Sequence, residues 1–424
     1  MMTNHELSVF FIALVSLLLT AHLAGAAAER MRLPRVVGEI MAGFLLGPSV
    51  LGSVWPVAQT WLFNSFPGEQ KVLGGMYWLG LALLMFVSGF KVQAESFGRD
   101  RRLLGPVVLC AIVIPGAAAF AIVQLFDLSA LAGPAGTTVS FQLVFAIAAA
   151  VTSIPVISRI FMDIGIMESR FACVVLAAST FEDILLWMML SVATALAREA
   201  VTDWSVIVRS AVLSFLFLGI SVGLGPTIVR LLKAAGLGGD RLAAPAVVLS
   251  VCFIFAALAS LLDVNVVFGA LVAGMVVGRG TGPGMVAVRK EVSSIAMGLF
   301  VPIYFALVGM RIDMGAGVDV WGALVFLFGS SLVKIVSVWL GGSFAGLTRR
   351  SALDLGVAMN TRGGPGIVLA SVALEFGIIS PSFFTTLIFA AIVTSAASGV
   401  WLRRAAAGNS DLLSIRAVKG NFCP

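Results

Sequence analysis

Two adjacent acids, Glu182 and Asp183, lie near the middle of an otherwise apolar segment, FACVVLAASTFEDILLWMMLSVATAL (171–196). One carboxylate at the centre of a bilayer costs about 2.5–3.5 kcal/mol on insertion scales, so such a pair indicates a function. Ser179 lies one helical turn before Asp183, and the two side chains therefore share a helix face. Both offer oxygen ligands to one small cation. Glu182 points about 100° away and needs a different partner.

Two basic residues also lie inside apolar segments. Lys334, in FGSSLVKIVSVWL (328–340), is the predicted partner of Glu182 because an unpaired ammonium in lipid is expensive. This ion pair serves the ion site or only ties two helices together. Arg362 has two interpretations as well: it belongs to the ion pathway, or it neutralises a helix end without contacting the substrate.

Two further segments contain residues that interrupt a helix. One is VTSIPVIS (151–158), where Pro155 removes a backbone donor, and the other is NTRGGPG (360–366), with Gly363, Gly364 and Pro365. Non-helical backbone at membrane depth is tolerated only where it is buried in protein or lines a watery cavity. We therefore predict two helix breaks that face each other, with carbonyl groups available to a cation.

These side chains must be positioned by membrane-spanning helices. Of the 424 residues, 60% are apolar and 11% are charged, against about 45–50% and about 25% in a soluble domain. A helix needs about 20 apolar residues to cross the hydrocarbon core. Thirteen candidate spans emerge: 6–28, 34–52, 71–91, 103–126, 139–162, 168–197, 204–232, 242–262, 265–279, 291–312, 317–347, 351–376 and 381–402. The ninth is short, and the tenth begins within AVRKEVSS (287–294), which is alternatively an amphipathic linker on the membrane surface.

The basic residues predict the orientation. With the amino terminus outside, 21 Lys and Arg fall in the cytoplasmic loops and tail, and four fall in the opposite loops. The positive-inside rule therefore favours an external amino terminus and a cytoplasmic carboxyl terminus. The formal net charge of +6 is explained by this topology and requires no nucleic-acid partner.

An internal repeat relates the two halves of the chain. Gly38, Gly43 and Gly47 in span 2 have the same spacing as Gly269, Gly274 and Gly278 in span 9, and Gly89 in span 3 aligns with Gly309 in span 10. Seven spans separate the partners, and an odd number means that they cross the membrane in opposite directions. The two predicted breaks, in spans 5 and 12, are also seven spans apart. Inverted repeats with broken helices are typical of secondary transporters.

A buried carboxylate that binds either a proton or a metal cation is sufficient for exchange, because the two ligands compete for the same oxygens. If the site crosses the barrier only when it is occupied, this competition couples the two fluxes. The residues therefore predict a transporter and not an enzyme, and no cofactor is expected.

The stretch LPRVVGEIMAGFLLGPSVLG (33–52) resembles the second helix of monovalent cation/proton antiporters, in the branch of bacterial Na⁺/H⁺ and K⁺/H⁺ exchangers and plant cation/proton exchangers. Spans 5, 6, 10, 11 and 12 are similar in order. The resemblance implies an all-α integral membrane protein of about 13 transmembrane helices, with an inverted repeat and two broken helices crossing in the core. It also implies alternating access by an elevator movement in a homodimer surrounded by membrane lipid, located in the cell (inner) membrane.

The resemblance further implies roles for individual residues. Asp183 becomes the carboxylate that binds Na⁺ or K⁺, and Glu182 the acid that pairs with Lys334. The pair Thr152–Ser153 stands at the first break, where some relatives have Thr-Asp, so both residues are candidate ion ligands. The acid pair is Glu-Asp here, whereas many sodium exchangers have Asp-Asp and several potassium exchangers Gln-Asp. The acid-plus-lysine pattern favours electrogenic exchange.

The domain organisation follows from the same resemblance. Residues 1–70 and 201–285 are predicted to form the dimerisation side, 71–200 and 286–404 the two halves of the core domain, and 405–424 a short cytoplasmic tail.

Two alternatives stay open at this point. The same fold is able to export an organic anion or a drug, which would require an enlarged pocket near the breaks. An intramembrane enzyme would require a nucleophile with a base or a cluster of metal ligands, and the sequence shows neither pattern.

Overall fold

The computed structural model describes residues 3–31, 33–90, 101–167, 169–199, 204–234, 244–280, 282–312 and 319–407. These residues form α-helices joined by short connections, together with one 3₁₀ turn, Ser129–Leu131, and one π-helical turn, Ala296–Phe300. The helices are α1 Asn4–Arg30, α2 Arg35–Leu46, α3 Leu51–Val54, α4 Pro56–Phe63, α5 Glu69–Gly89, α6 Arg101–Leu125, α7 Thr138–Ala150, α8 Ile154–Asp163, α9 Arg170–Glu199, α10 Trp204–Ala234, α11 Ala244–Leu261, α12 Val266–Gly278, α13 Pro283–Ile295, α14 Val301–Met310, α15 Val320–Phe344, α16 Arg349–Met359, α17 Gly364–Glu375 and α18 Pro381–Ala407.

Each of the thirteen predicted spans corresponds to helix in the structure. Within the described residues, eleven segments are long and apolar enough to cross a membrane, and the shorter apolar helices α12 and α17 belong to the two remaining spans. The predicted all-α membrane architecture is therefore confirmed. The predicted tail lies outside the described residues beyond position 407.

The tenth span begins earlier than predicted. Residues 287–294 belong to α13, which buries Met285, Val288 and Val292 on one face and continues through the π-helical turn into α14. The stretch is thus an amphipathic helix, as its composition indicated, but it is continuous with the membrane span. Helices α3 and α4 were not predicted, because they occupy a connection that carries little periodic signal.

The described residues divide into two compact units. The first comprises Met1–Val92 and Val208–Ala316, and the second comprises Gln93–Ile207 and Gly317–Pro424. This division differs from the predicted boundaries, because α5 and the segment from α13 to α14 belong to the first unit and not to the unit that contains the broken helices. The dimerisation and transport roles of the two units stay predictions.

The glycine repeat is visible in the packing of the first unit. Gly43 of α2 packs against the backbone of Ala306 in α14, and its repeat partner Gly274 of α12 packs against the backbone of Phe86 in α5. A Cβ atom at either glycine would overlap with the facing helix, so the helices approach each other only because both positions lack a side chain.

The other glycines of the motif follow the same symmetry. Gly38 packs against α1 and its partner Gly269 against α11, which is seven spans later; Gly89 packs against α12 and its partner Gly309 against α2. The two halves of the repeat therefore interlock: span 2 packs against span 10, and span 9 packs against span 3.

Gly274→Ala tests this packing. The added methyl group would lie 2.9 Å from the Gly89 Cα atom and closer to the Phe86 carbonyl, so we expect the substitution to cost about 1–3 kcal/mol of stability. Gly219→Ala is the matched control, since nothing lies within 4 Å of an added Cβ there. Alanine is the better helix former, and the control is expected to be neutral or stabilising by up to about 1 kcal/mol. Thermal unfolding of the detergent-solubilised variants measures both; equal effects would contradict the packing argument.

The second unit contains the two broken helices, α7–α8 and α16–α17. Their first halves begin with the same cap: Thr137 accepts a hydrogen bond from the Ser140 amide (3.2 Å), and Thr348 accepts one from the Ser351 amide (3.2 Å). A Thr or Ser cap satisfies backbone donors that a helix start leaves without partners. The shared Thr-x-x-Ser pattern supports the repeat relation between the two broken helices.

The breaks themselves are shorter than predicted. Non-helical backbone covers 151–153 and 360–363, which includes Gly363. Pro155, Gly364 and Pro365 were predicted to lie at the breaks, but the structure places them in the first turn of α8 and α17. Proline is tolerated there because the first backbone N–H groups of a helix have no intrahelical partner.

Candidate functional site

The two helix breaks are in direct contact within the second unit. The Ser153 amide donates to the Thr361 carbonyl over 2.6 Å, and the Thr152 hydroxyl lies 2.6 Å from the Met359 carbonyl. Each contact uses a backbone group that a helix end would leave without a partner. The breaks therefore stabilise each other, and the predicted crossing of the two broken helices is present.

Glu182 and Lys334 form the predicted ion pair at this crossing. Both side chains are fully buried, and Lys334 Nζ donates to Glu182 Oε1. Lys334 Nζ also donates to the carbonyls of Ala150, the last residue of α7, and Ala111, the latter over 3.4 Å. All three donors of the ammonium are thus used, and its charge lies at the negative end of half-helix α7.

Thr152 connects the ion pair to the helix breaks. Its hydroxyl lies 2.5 Å from Glu182 Oε2 and 2.6 Å from the Met359 carbonyl. Because the hydroxyl carries one proton, it donates to only one of these oxygens at a time. Thr152, predicted as an ion ligand, is therefore engaged with Glu182 in this structure.

Thr152→Val isolates that hydroxyl, because valine keeps the shape and removes the donor. We expect a loss of about 1.5–3 kcal/mol, the range for a hydrogen bond to a charged group. Thr152→Ser restores the hydroxyl and is expected to recover most of the loss. Thermal unfolding distinguishes the two variants; equal stability of the valine and serine variants would show that the hydroxyl contributes nothing.

Asp183 differs from Glu182 in having no partner for one of its oxygens. Asp183 Oδ1 is buried and accepts no hydrogen bond, and the same holds for the Ser179 hydroxyl one turn earlier on α9. Three more buried polar atoms at the breaks have no hydrogen-bond partner: Ser153 Oγ, Asn360 Oδ1 and Thr361 Oγ1. Helix α9 packs against all four half-helices, and its Glu182 contacts Thr152 of the first break. The second unit thus holds a group of oxygen atoms with unused acceptor capacity.

The donor types indicate which ligand suits this group. The described part of the chain contains no cluster of three or more His, Cys, Asp or Glu side chains placed to hold a metal ion. One carboxylate with hydroxyl, amide and carbonyl oxygens suits a weakly bound hard cation.

Arg362 lies in the second break and is only 2% exposed. Its Nη2 donates to the Ala149 carbonyl (3.3 Å) and to the Ser330 hydroxyl (2.8 Å), and its Cζ lies 5.6 Å from the centre of the Phe326 ring. Two cations, Lys334 and Arg362, therefore contact the last two carbonyls of α7. This placement supports the interpretation that Arg362 neutralises a helix end.

Several polar residues around the second break were not predicted. The Thr394 hydroxyl accepts from the Arg362 amide (3.3 Å), Ser395 donates to the Arg362 carbonyl, and Ser398 donates to the Val357 carbonyl (3.0 Å). They occupy one face of α18, where hydroxyl residues recur at helical spacing within an apolar span. That spacing is the signal in the sequence that identifies them.

The crossed breaks, the buried charges and the interlocked repeat define a secondary transporter. Comparison with known proteins agrees: the profile "Sodium/hydrogen exchanger, transmembrane" matches residues 17–408. The chain belongs to this sodium/hydrogen exchanger family. The predicted family is confirmed, and with it the class of monovalent cation/proton exchangers; the enzyme alternative is excluded by this membership.

Individual relatives of the chain are antiporters as well. The chain is 27% identical over 388 residues to the Na⁺/H⁺-K⁺ antiporter GerN of Bacillus cereus, covering 91% of this chain and 93% of the relative. It is 28% identical over 407 residues to K⁺/H⁺ antiporter 1 of Saccharomyces cerevisiae, covering 93% of this chain and 46% of that protein. The solved structure of the sodium proton antiporter MjNhaP1 from Methanocaldococcus jannaschii has the same fold, with a TM-score of 0.67 at 16% identity, covering 95% of this chain and 99% of that one.

Proposed function

We propose that Asp183 is the carboxylate that binds the transported cation and the proton in turn. The observation that supports this assignment is the contrast between the two adjacent acids. Glu182 is already paired with Lys334 and contacted by Thr152, whereas the buried Asp183 Oδ1 has no partner. A ligand that arrives at this site therefore meets an unsatisfied acceptor on Asp183 and a satisfied one on Glu182.

The remaining ligands are oxygen atoms close to the breaks. Ser179 shares the Asp183 face of α9, and Ser153, Asn360 and Thr361 carry buried oxygens without partners. We assign these four side chains to the cation, with Glu182, Lys334 and Thr152 holding the breaks in place around it. Arg362 compensates the charge of the α7 end and does not contact the cation.

The transported cation is Na⁺ or K⁺. GerN is named for both ions and the yeast relative for K⁺, so both must be tested. An organic anion receives no support from the site, because the buried Asp183 carboxylate would repel an anion.

Competition between proton and cation gives the test. With purified protein in liposomes, a cation pulse is expected to dissipate a preformed pH gradient. Because one proton and one cation compete for Asp183, the cation concentration that gives half-maximal flux should rise as pH falls, by up to about tenfold per pH unit. A pH-independent half-maximal concentration would contradict a shared site.

We further propose that the unit containing the broken helices carries the site across the barrier, while the other unit forms the contact of a homodimer within the lipid. Cross-linking in liposomes and the mass of the particle in nanodiscs test the dimer. A monomeric mass together with full exchange activity would contradict it.

The proposed location is the cell membrane, with the amino terminus outside and the carboxyl terminus in the cytoplasm, because the basic residues favour this orientation. Fluorescent and phosphatase reporters fused to the carboxyl end provide the test. A fluorescent fusion and an inactive phosphatase fusion are expected, and the reverse result would invert the topology.

A further inference from the structure

The backbone of the second helix break is anchored to side chains of α18. The Arg362 amide donates to the Thr394 hydroxyl over 3.3 Å, and the Arg362 carbonyl accepts from the Ser395 hydroxyl. The preceding residue differs, since the Thr361 carbonyl accepts from another backbone group, the Ser153 amide. Buried peptide groups need partners, and both hydroxyl residues are buried. Helix α18, which provides none of the proposed cation ligands, therefore holds the non-helical backbone in place.

The two hydroxyls have opposite and fixed roles. Thr394 donates its proton to the Ala390 carbonyl of its own helix over 2.8 Å, so it meets the Arg362 amide as an acceptor. Ser395 gives its proton to the Arg362 carbonyl. In a continuous helix both peptide groups would bond within the helix. The pair of hydroxyls thus fits the broken conformation and not a continuous one.

The anchored residue follows two of the proposed cation ligands. Asn360 and Thr361 directly precede Arg362, and trans peptide bonds keep consecutive Cα atoms about 3.8 Å apart. Asn360 Oδ1 and Thr361 Oγ1 make no hydrogen bond of their own, so their positions depend on how the backbone beside them is held. Ligands define a site sharply only when their supports hold them to within about 0.5 Å. The anchor at Arg362 is such a support.

We propose that Thr394 and Ser395 are positioning residues that set the cation preference of the exchanger. By holding the second break, they fix the spacing of the Asn360 and Thr361 oxygens around the cation. A site of fixed size discriminates between Na⁺ and K⁺, because the two ions require different distances to oxygen. Neither hydroxyl contacts the cation. This role rests on the cation site proposed at Asp183.

The concentrations of Na⁺ and K⁺ that give half-maximal proton exchange in liposomes test the proposal. Ser395→Ala removes the donor to the Arg362 carbonyl. We expect the half-maximal concentration of the preferred ion to rise about 3- to 10-fold, the equivalent of one hydrogen bond, and the ratio of the two concentrations to move toward one. Loss of active protein lowers the flux of both ions alike and does not change this ratio.

Ser371→Ala is the matched control for Ser395→Ala. It removes another buried hydroxyl of the same unit, which donates to the Ile367 carbonyl of its own helix over 2.8 Å. The change in composition is the same, but the second break keeps its anchor. The ratio of the Na⁺ and K⁺ concentrations is expected to equal that of the parent.

Thr394→Val keeps the test decisive if Ser395→Ala fails to fold. Valine has the shape of threonine but offers no acceptor to the Arg362 amide, and we expect the same movement of the ratio toward one. Thr386→Val is its matched control, because the buried Thr386 lies on the same helix and donates to the Ser382 carbonyl of that helix over 3.1 Å.

Three results would overturn the proposal. Parental ratios in both Ser395→Ala and Thr394→Val would show that the anchor does not set the preference. Equal half-maximal concentrations of Na⁺ and K⁺ in the parent would contradict a site of fixed size. Asp183→Asn in the same assay separates the two levels of the argument: if it is inactive while the ratios stay parental, only the positioning role is wrong. If it is active, the cation site is wrong, and the positioning role with it.

Discussion

Asp183→Asn is expected to reduce cation-driven proton flux to the level of liposomes without protein. Asparagine keeps the size of the side chain and one acceptor oxygen, but it neither carries a negative charge nor exchanges a proton near neutral pH. Because Glu182 is held by Lys334 and Thr152, it does not replace the lost carboxylate. The fluorescence of a pH indicator inside the liposomes, recorded after addition of Na⁺ or K⁺, measures the effect.

Stability should change in the opposite direction. Asp183 Oδ1 is buried without a partner, and an unsatisfied buried polar group costs about 1–3 kcal/mol. A neutral amide is easier to bury, so Asp183→Asn is expected to melt at the same temperature as the parent or higher. Residues of a functional site often lower the stability of the fold, and Asp183 is expected to be one of them.

Asp163→Asn is the control for this substitution. Asp163 is exposed and forms a 3.4 Å pair with Arg159 one turn away, and exposed pairs contribute about 0–1 kcal/mol. The control should transport like the parent. Robust cation-driven flux in Asp183→Asn would show that the transported proton is carried by another group.

The sequence predicted the membrane architecture because lipid imposes a strong rule on it. A span must be apolar over about 20 residues, and this requirement made the thirteen spans predictable without any knowledge of their packing. The glycine repeat was predictable for a similar reason: Gly43 and Gly274 are required by the close approach of two helices, so their spacing records the packing directly. Connections such as α3 and α4 obey neither rule and were missed.

The charged residues of the candidate site were predictable, because charge is scarce within the spans. Glu182, Asp183, Lys334 and Arg362 stand out because ionisable residues inside a span are expensive. The hydroxyl residues of α18 did not stand out, since Ser and Thr are tolerated in membrane helices by bonding to their own backbone. Which of them turns toward the second break depends on how α18 packs, and that is set by contacts far apart in the sequence.

A polar contact in the first unit was also not predictable from the sequence. His22 bridges Arg35 and the Gly298 carbonyl (2.9 Å), and Arg35 in turn pairs with Glu39 (3.1 Å). In the sequence, Arg35 is only one of the 21 basic residues that predict the topology. The equivalent positions in the second half of the repeat, 253, 266 and 270, carry Phe, Val and Ala, so the fold itself does not require this polar contact.

Lys334→Met is expected to cause the largest loss of stability among single substitutions at the site. It removes the ammonium and leaves the fully buried Glu182 with the Thr152 hydroxyl as its remaining contact. Breaking a buried pair by removing one partner costs about 3–5 kcal/mol, because the other charge stays buried. The substitution also removes the hydrogen-bond donor to the carbonyl of Ala150, the last residue of half-helix α7. This second loss lowers the stability further. Reversible unfolding in mixed micelles, followed by tryptophan fluorescence, measures the change, and Lys71→Met at an exposed position should stay within about 0.5 kcal/mol.

The double variant Glu182→Gln with Lys334→Met separates stability from transport. Replacing both partners of a buried pair by neutral groups is often neutral in stability, so the double variant is expected to be more stable than Lys334→Met alone. If the pair only joins α9 to α15, the double variant should also recover cation-driven proton flux. If the field of Lys334 is needed to set the proton occupancy of Asp183, flux should stay low although the fold is restored. A double variant no more stable than Lys334→Met would show instead that the contacts of Lys334 with the α7 carbonyls, and not its pairing with Glu182, hold the site together.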